Sequence, residues 1–351
     1  MKRDEISRLR VLSIGAGAIG AYVGGSLALA GHDVVFVERP QVADELAARG
    51  LRLNLHEQEY HIPDLQVFPS MEDALRSGDF DVALFALKSY DTPLFLQSLA
   101  VAPETLPPFL CLSNGVDNEP ALVQALGSDK VIAGTVTSAV GRRAAGDVVL
   151  ERLRGVGVAA GHPLSERLVA ALDAAGLQAR LYARIADMKW SKMITNLIAN
   201  AAAAILDLSP AEIFADPALY RLEIGQLREA LAVMRVQQID VVDLPGVPVR
   251  LLAFVVRYFP LMVSRPLLRK AVGGGRGGKM PSFHIDLHSG RGKSEVDYLN
   301  GAVVRAGEQH GIPTPVNRAL TDTLLRLTAG EIPLEMFARQ PEKLLALCDL
   351  G

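Results

Sequence analysis

Residues 10–37 read RVLSIGAGAIGAYVGGSLALAGHDVVFV. This stretch decides the fold of the N-terminal part of the chain. RVLSI and DVVFV are short apolar runs of strand length. Between them lie Gly15-Ala16-Gly17-Ala18-Ile19-Gly20 and an apolar helical segment from Ile19 to Ala30, which Gly31-His32 terminates. The order is strand, glycine turn, helix, strand, at the length of one right-handed crossover unit. Gly15 permits the tight turn out of the strand. Gly17 leaves the backbone bare, so that a pyrophosphate can approach. Gly20 lets the helix pack closely on the sheet. The first helical turn, at Ala18 and Ile19, offers free N–H groups and a partial positive charge to a phosphate. The glycine pattern alone is weak, but between a strand and a helix it marks a dinucleotide site.

The end of the second strand selects the cofactor. Glu38 stands there and Arg39 follows. A carboxylate would accept from the ribose hydroxyls of NAD, and a guanidinium would pair with the 2′-phosphate of NADP. The local reading leaves both open.

Further strands are expected at 81–86, 109–112 and 131–136, with a small extended excursion at 58–67 and closing strands at 148–159 and 178–182. They are short, apolar and flanked by turn residues, as in a parallel sheet covered on both faces. From Arg184 onward helical patterns dominate, at 187–206, 216–237, 249–263, 294–310 and 317–328. The expected architecture is therefore α/β: a dinucleotide-binding domain at 1–183 and an all-helical domain at 184–351.

Composition agrees. A chain of 351 residues is long for one core, and half of it is hydrophobic with only 5% aromatics. The net charge of -3 supplies no broad basic face, so nucleic acid is not an expected partner. Cys111 and Cys348 give no disulfide framework and fit a reducing cytoplasm. The first ten residues carry charges of both signs and no apolar core, so no leader is expected there. No apolar run reaches the ~18 residues of a membrane span.

Residues 247–279 stand apart as an apolar insertion. It is punctuated by Arg250, Arg257, Arg265, Arg269 and Lys270, and ends in GGGRGGK. It reads either as a surface-packed insertion on a glycine tether or as a mobile lid or basic surface for an anionic group. Its apolar side also offers a surface that a homodimer would use.

Chemistry concentrates in WSKMITNLIAN, residues 190–200. Lys192, Asn196 and Asn200 are spaced by four, which on one helix places them on one face. A lysine and two amides on an apolar helix are costly if buried without partners, so they either line a polar cleft or form a solvated stripe. A third segment holds Ser282 and Asp286, then GRGKSEVDYLNG with Glu295 at its centre.

Taken together, the glycine turn, Lys88 in ALKSYD, Asn114 in LSNG, the K-x3-N-x3-N segment and the S-x3-D…S-E-x-D segment resemble the ketopantoate reductase family over nearly the whole chain. The resemblance implies a Rossmann-type domain followed by a helical one, with the active site between them. It implies NADPH as hydride donor, with NADH less expected, and a 2-oxo acid as acceptor. By motif position Lys192 matches the catalytic lysine and Glu295 the acid that positions it. Asn196, Asn200 and Ser282 match substrate-binding positions, Asn114 the asparagine near the nicotinamide, and Arg39 with Lys88 the basic pair at the 2′-phosphate. The chain departs from the family in four places. Ala201 to Ala204 stand where a proline is frequent, a polar substrate contact of some members has no equivalent near Ser209-Pro210, the spacing before Glu295 is one residue longer, and the insertion adjoins Ser282. These departures bear on the substrate, and leave open a different or larger 2-oxo acid, or a nicotinamide-binding regulator without turnover. Lys192 and Glu295, both present, argue for turnover.

His284 and His288 are four apart and could share a metal, but no third ligand is visible in the sequence, so no metal is expected. Cys111 reads as a core residue, and Ser209 as a helix cap.

Overall fold

The computed structural model describes residues 8–276 and 280–348. The chain divides into two compact units: residues up to Lys189 with Leu244–Val247, and Trp190–Asp243 with the residues from Pro248 onward.

Unit 1 opens with β1 (Arg10–Ile14), α1 (Ala18–Leu29), β2 (Asp33–Val37) and α2 (Pro40–Arg49). There follow β3 (Leu51–Leu55), β4 (Gln58–Ile62), β5 (Gln66–Phe68), α3 (Met71–Arg76), β6 (Val82–Phe85) and α4 (Thr92–Ser98). Next come β7 (Phe109–Cys111), α5 (Asn118–Leu126), β8 (Val131–Val136), β9 (Ala139–Ala144) and β10 (Asp147–Arg152). The unit closes with β11 (Val156–Ala159), α6 (Ser165–Ala174), β12 (Ala179–Tyr182) and the start of α7 (Ile185–Leu197).

The main sheet has eight strands in the order β12-β11-β8-β7-β6-β1-β2-β5. Its pairings are parallel except β8 with β11, so the sheet is mixed rather than wholly parallel. The chain runs from β1 outward through β2 to β5, then returns to β6 on the other side of β1. That reversal opens a crevice outside the carboxyl ends of β1 and β6, where sheets of this kind hold ligands.

Residues 51–62 and 139–152 add what the sequence reading only partly foresaw. They form a second, four-stranded sheet in the order β4-β3-β10-β9. Pro63, just after β4, lacks the N–H a continuing ladder would need, so the expected 58–67 excursion splits into β4 and β5. The small sheet explains the character of α1. Every residue from Gly20 to Leu27 is buried. One side of the helix packs with Val11, Val34 and Phe36 of the main sheet, and another with Leu51, Leu53 and Val148 of the small one. A helix enclosed by two sheets is apolar all round rather than amphipathic. A second core, with Leu12, Val35, Phe85, Phe109 and Leu122, fills the other face of the main sheet.

Unit 2 contains the rest of α7, then α8 (Ala201–Leu206), α9 (Pro210–Ala215), α10 (Pro217–Val236), α11 (Val249–Tyr258) and α12 (Leu261–Arg276). It continues through α13 (Ser282–Leu287), α14 (Val296–His310), α15 (Pro315–Thr328) and α16 (Pro341–Leu345). The division between the two units falls after Lys189, inside α7. Ser209 caps α9 with a reciprocal capping box to Glu212, as its position suggested.

Two expected helices are broken. The segment 249–263 divides because Pro260 pushes Phe259 into extended backbone, which ends α11. The segment 187–206 divides at 198–200, where Ala199 takes a left-handed φ of 48°. The glycines at 273–275 fall inside α12 rather than in a free tether, and 277–279 lie outside the described residues. No described helix is long and apolar enough to cross a membrane.

Candidate functional site

The residues expected to hold the cofactor all stand at the carboxyl ends of adjacent strands. Gly15, Gly17, Ala18, Ile19 and Gly20 follow β1, Arg39 follows β2, Lys88 follows β6 and Asn114 follows β7. The turn requires its glycines. Gly15 has φ 91°, and a Cβ on Gly20 would lie 1.9 Å from the Gly15 carbonyl oxygen. At Gly17 the reverse holds: a Cβ there would meet nothing within 4 Å. Gly17 also caps α1 without a side-chain acceptor. The bare backbone, the open space and the unsatisfied first-turn N–H groups fit a dinucleotide pyrophosphate.

Glu38 is tied to this loop. Its Oε1 accepts from the Ala16 N–H at 2.7 Å and its Oε2 from the Arg39 N–H at 3.2 Å. Arg39 is the N-cap residue just before α2 and is exposed. The loops after β6 and β7 are locked to each other. Ser89 Oγ donates to the Asn114 carbonyl at 2.9 Å, Asn118 Nδ2 donates to the same oxygen at 2.6 Å, and Ser113 Oγ donates to the Leu87 carbonyl at 2.8 Å. Thr92 Oγ1 donates to Asn118 Oδ1 at 2.7 Å. Backbone at Leu87, next to Lys88, and at Asn114 is thus held by part-buried side-chain bonds rather than left as loose loop.

Sequence reasoning missed Lys189. Its side chain is 4% exposed, yet its ammonium meets Glu119 Oε1 at 2.7 Å and donates to the carbonyls of Ser113 (2.8 Å) and Gly134 (3.3 Å). Burial pushes its pKa down, but the Glu119 charge, the neighbouring Cys111 and the hydrogen bond to Glu119 outweigh that, so the net shift is upward. The pair fixes the first turns of α7 to the ends of β7 and β8 and to α5. Cys111 is fully buried and burial drives its thiol pKa far up, which suits a core residue and not a nucleophile.

In unit 2, Lys192 and Asn196 lie one turn apart on α7, both half-buried. Asn200 does not continue their row, because the left-handed Ala199 breaks the helix and Asn200 becomes the N-cap residue just before α8. It still meets its expected companions. Asn200 Nδ2 donates to the Asn196 carbonyl (3.0 Å) and to Ser282 Oγ (3.2 Å), and its Oδ1 accepts from the Phe283 N–H (3.0 Å). Ser282 is the first residue of α13. Glu295 precedes α14 and is 1% exposed.

The break itself is held by a polar network within the helical core. Glu223 Oε2 accepts from the Ala199 N–H (2.7 Å) and from Gln226 Nε2 (2.7 Å), and Gln226 also donates to the Leu197 carbonyl (3.2 Å). Asn300 Nδ2 donates to Gln226 Oε1 and to Asn317 Oδ1, each at 3.0 Å. Asn317 Nδ2 donates to Glu229 Oε2 at 2.6 Å. The signal for this network was in the sequence: Glu223 and Gln226 fall on the apolar stripe of α10, where a polar side chain needs partners.

The fold and glycine turn define a dinucleotide-binding α/β protein with a helical second unit. Residues 11–160 match the family described as ketopantoate reductase PanE/ApbA, and residues 184–327 match its C-terminal domain. The chain belongs to the ketopantoate reductase family and is an oxidoreductase of that type. It is 29% identical over 326 residues to a 2-dehydropantoate 2-reductase of Archaeoglobus fulgidus, covering 92% of this chain and 97% of that one. A PanE/ApbA family ketopantoate reductase of Ralstonia eutropha superposes with a TM-score of 0.76 at 28% identity, covering 92% and 99% of the two chains. A D-mandelate dehydrogenase solved with NADH and anilino(oxo)acetate shares the fold, with a TM-score of 0.74 at 21% identity and coverages of 91% and 99%.

Proposed function

We propose that the chain reduces a 2-oxo acid to a 2-hydroxy acid with NADPH, ketopantoate to pantoate being the first substrate to test. The observation that carries this is the family match across both domains, with Lys192 and Glu295 inside the second. The reduced nicotinamide, when bound, supplies the hydride. The first turn of α1 and the bare backbone at Gly17 receive the pyrophosphate. Arg39 and Lys88 would pair with the 2′-phosphate, and Asn114 would stand by the nicotinamide. Lys192 acts as the general acid. Its ammonium stabilises the negative charge that develops on the carbonyl oxygen and then donates the proton that completes the alcohol. Glu295 keeps that lysine charged and oriented. Asn196, Asn200 and Ser282 bind the acid's carboxylate and hydroxyl groups through neutral side chains.

One observation favours NADH as a second reading for the cofactor: the Glu38 carboxylate at the end of β2 already sits against the glycine loop, where ribose hydroxyls would reach it. Absorbance-monitored oxidation of NADPH and of NADH, with ketopantoate beside a panel of 2-oxo acids, tests both parts. Preference for NADPH with ketopantoate supports the proposal. Turnover only with another oxo acid moves the substrate, and a preference for NADH overturns the cofactor assignment. Lys192→Ala is expected to lower kcat by about 10²–10⁴-fold with cofactor affinity unchanged. Undiminished turnover would remove Lys192 from the mechanism.

A further inference from the structure

We propose that Asp207, His284 and His288 form a binding site for one first-row divalent cation, with zinc as the leading candidate. The sequence shows only the two histidines, four apart. The fold supplies the third ligand from 77 residues away. Asp207 ends α8 in a left-handed turn, φ 50° and ψ 45°, and its Oδ1 stands 2.8 Å from His284 Nε2. His288 directly follows α13, and its ring lies 4.2 Å from that of His284, inclined by 41°. One donor atom from each of the three residues lies within 4.8 Å of the others.

These distances suit a metal. With zinc bonds of about 2.0–2.1 Å, tetrahedral donors stand roughly 3.3 Å apart. The Asp207–His284 edge must therefore open by about half an ångström and the other edges close by no more than about 1.5 Å. Side-chain rotation at a part-exposed site provides both. Two imidazoles and one carboxylate match zinc, cobalt, nickel or copper, whereas magnesium and calcium call for oxygen donors. Three protein ligands leave a fourth position for water.

The placement gives such an ion a structural consequence. Asn200, at the beginning of α8, already holds Ser282 and Phe283 at the beginning of α13. An ion on Asp207, His284 and His288 would join the far ends of the same two short helices. Both ends of each would then be fixed, and the segment that presents Ser282 would be clamped. The three ligands all belong to unit 2, and the test is independent of which oxo acid is reduced.

The experiment uses the full chain, stripped with EDTA, desalted and titrated with Co²⁺ followed by visible absorption, then with Zn²⁺ by calorimetry. The expected result is saturable binding of one Co²⁺ per chain with d–d bands of low coordination number, displaced by Zn²⁺. His288→Ala and Asp207→Asn should each weaken Co²⁺ binding by at least about tenfold, the loss seen when even an outer-shell partner of a metal site is removed. Asn tolerates the left-handed turn as Asp does, and His288 is exposed, so both variants should keep the far-ultraviolet circular dichroism of the parent. Absence of saturable binding by the parent overturns the proposal. So does parental stoichiometry and affinity in His288→Ala, which would place the ion elsewhere.

Discussion

Replacing Lys189 by methionine tests whether the buried ion pair holds α7 in place. Methionine keeps the length and apolar stem of the side chain and removes the ammonium. The carboxylate of Glu119, itself buried, then loses its counter-charge, and the Ser113 and Gly134 carbonyls lose a donor. Breaking a buried pair from one side costs about 3–5 kcal/mol. At about 2–4 °C per kcal/mol for a domain of this size, the melting temperature should fall by roughly 6–20 °C. Glu119→Gln should cost a similar amount from the other side. The double variant Lys189→Met/Glu119→Gln removes both charges and should recover to within about 2 kcal/mol of the parent. Urea and thermal unfolding of the four proteins give the coupling directly. A loss below about 1 kcal/mol in Lys189→Met, or a double variant as unstable as the sum of the singles, would refute the reasoning. The pH dependence has a definite sign. A lysine whose folded pKa is raised contributes stability that is complete below the unfolded value near 10.4 and is lost as pH rises through the folded value. The contribution is therefore flat across neutral pH and decays only in strong alkali, and it should be missing in the double variant.

Gly17→Ala and Gly20→Ala separate binding from folding. Alanine at 17 meets no protein atom and should change stability by less than about 0.5 kcal/mol while weakening dinucleotide binding at least tenfold, read by fluorescence titration. Alanine at 20 collides with the Gly15 carbonyl and should lower the melting temperature as well. Ala199→Gly relieves a left-handed alanine and should stabilise the chain by up to about 1 kcal/mol, measured by denaturant unfolding. Burial raises the pKa of Glu229, against hydrogen bonds from Asn317 and Val316 that lower it. The folded state thus holds the Glu229 proton to higher pH than the unfolded chain does. Its part of the stability declines as pH rises from the unfolded value near 4.3 through the folded one, and Glu229→Gln should flatten that slope.

The first βαβ unit was legible because its signals are local. Strand runs, glycine turn and helix end occupy 28 consecutive residues, and β1 and β2 fall where the apolar runs put them. The break at Ala199 was not legible, since alanine carries no breaking signal. What ends α7 is Glu223 and Gln226, which take up the freed backbone groups from a different helix. The small sheet was only half legible for a related reason. Its central pairing joins β3 to β10 across about a hundred residues, and AVGRRA, with glycine and two arginines, has little strand character alone. Lys189 reads in the sequence as one more surface lysine before Trp190. Only the approach of Glu119, Ser113 and Gly134 makes it a buried anchor. The dinucleotide turn is a local motif and can be read in one dimension, whereas the sequence marks Glu223 and Gln226 only as polar groups in need of partners, and not which distant groups of α7 they meet.

Lys189 and Lys192 share one unbroken helix, and this restricts how the chain can vary in length. Each residue of an α-helix advances about 1.5 Å and turns about 100°. With Lys189 anchored, inserting or deleting one residue before Lys192 would swing the second ammonium by that angle, to a different side of the helix. Substitutions at Trp190 and Ser191 change packing and leave this phase intact. Length differences among relatives are therefore expected in the loops and in the 247–279 segment, and not between these two lysines.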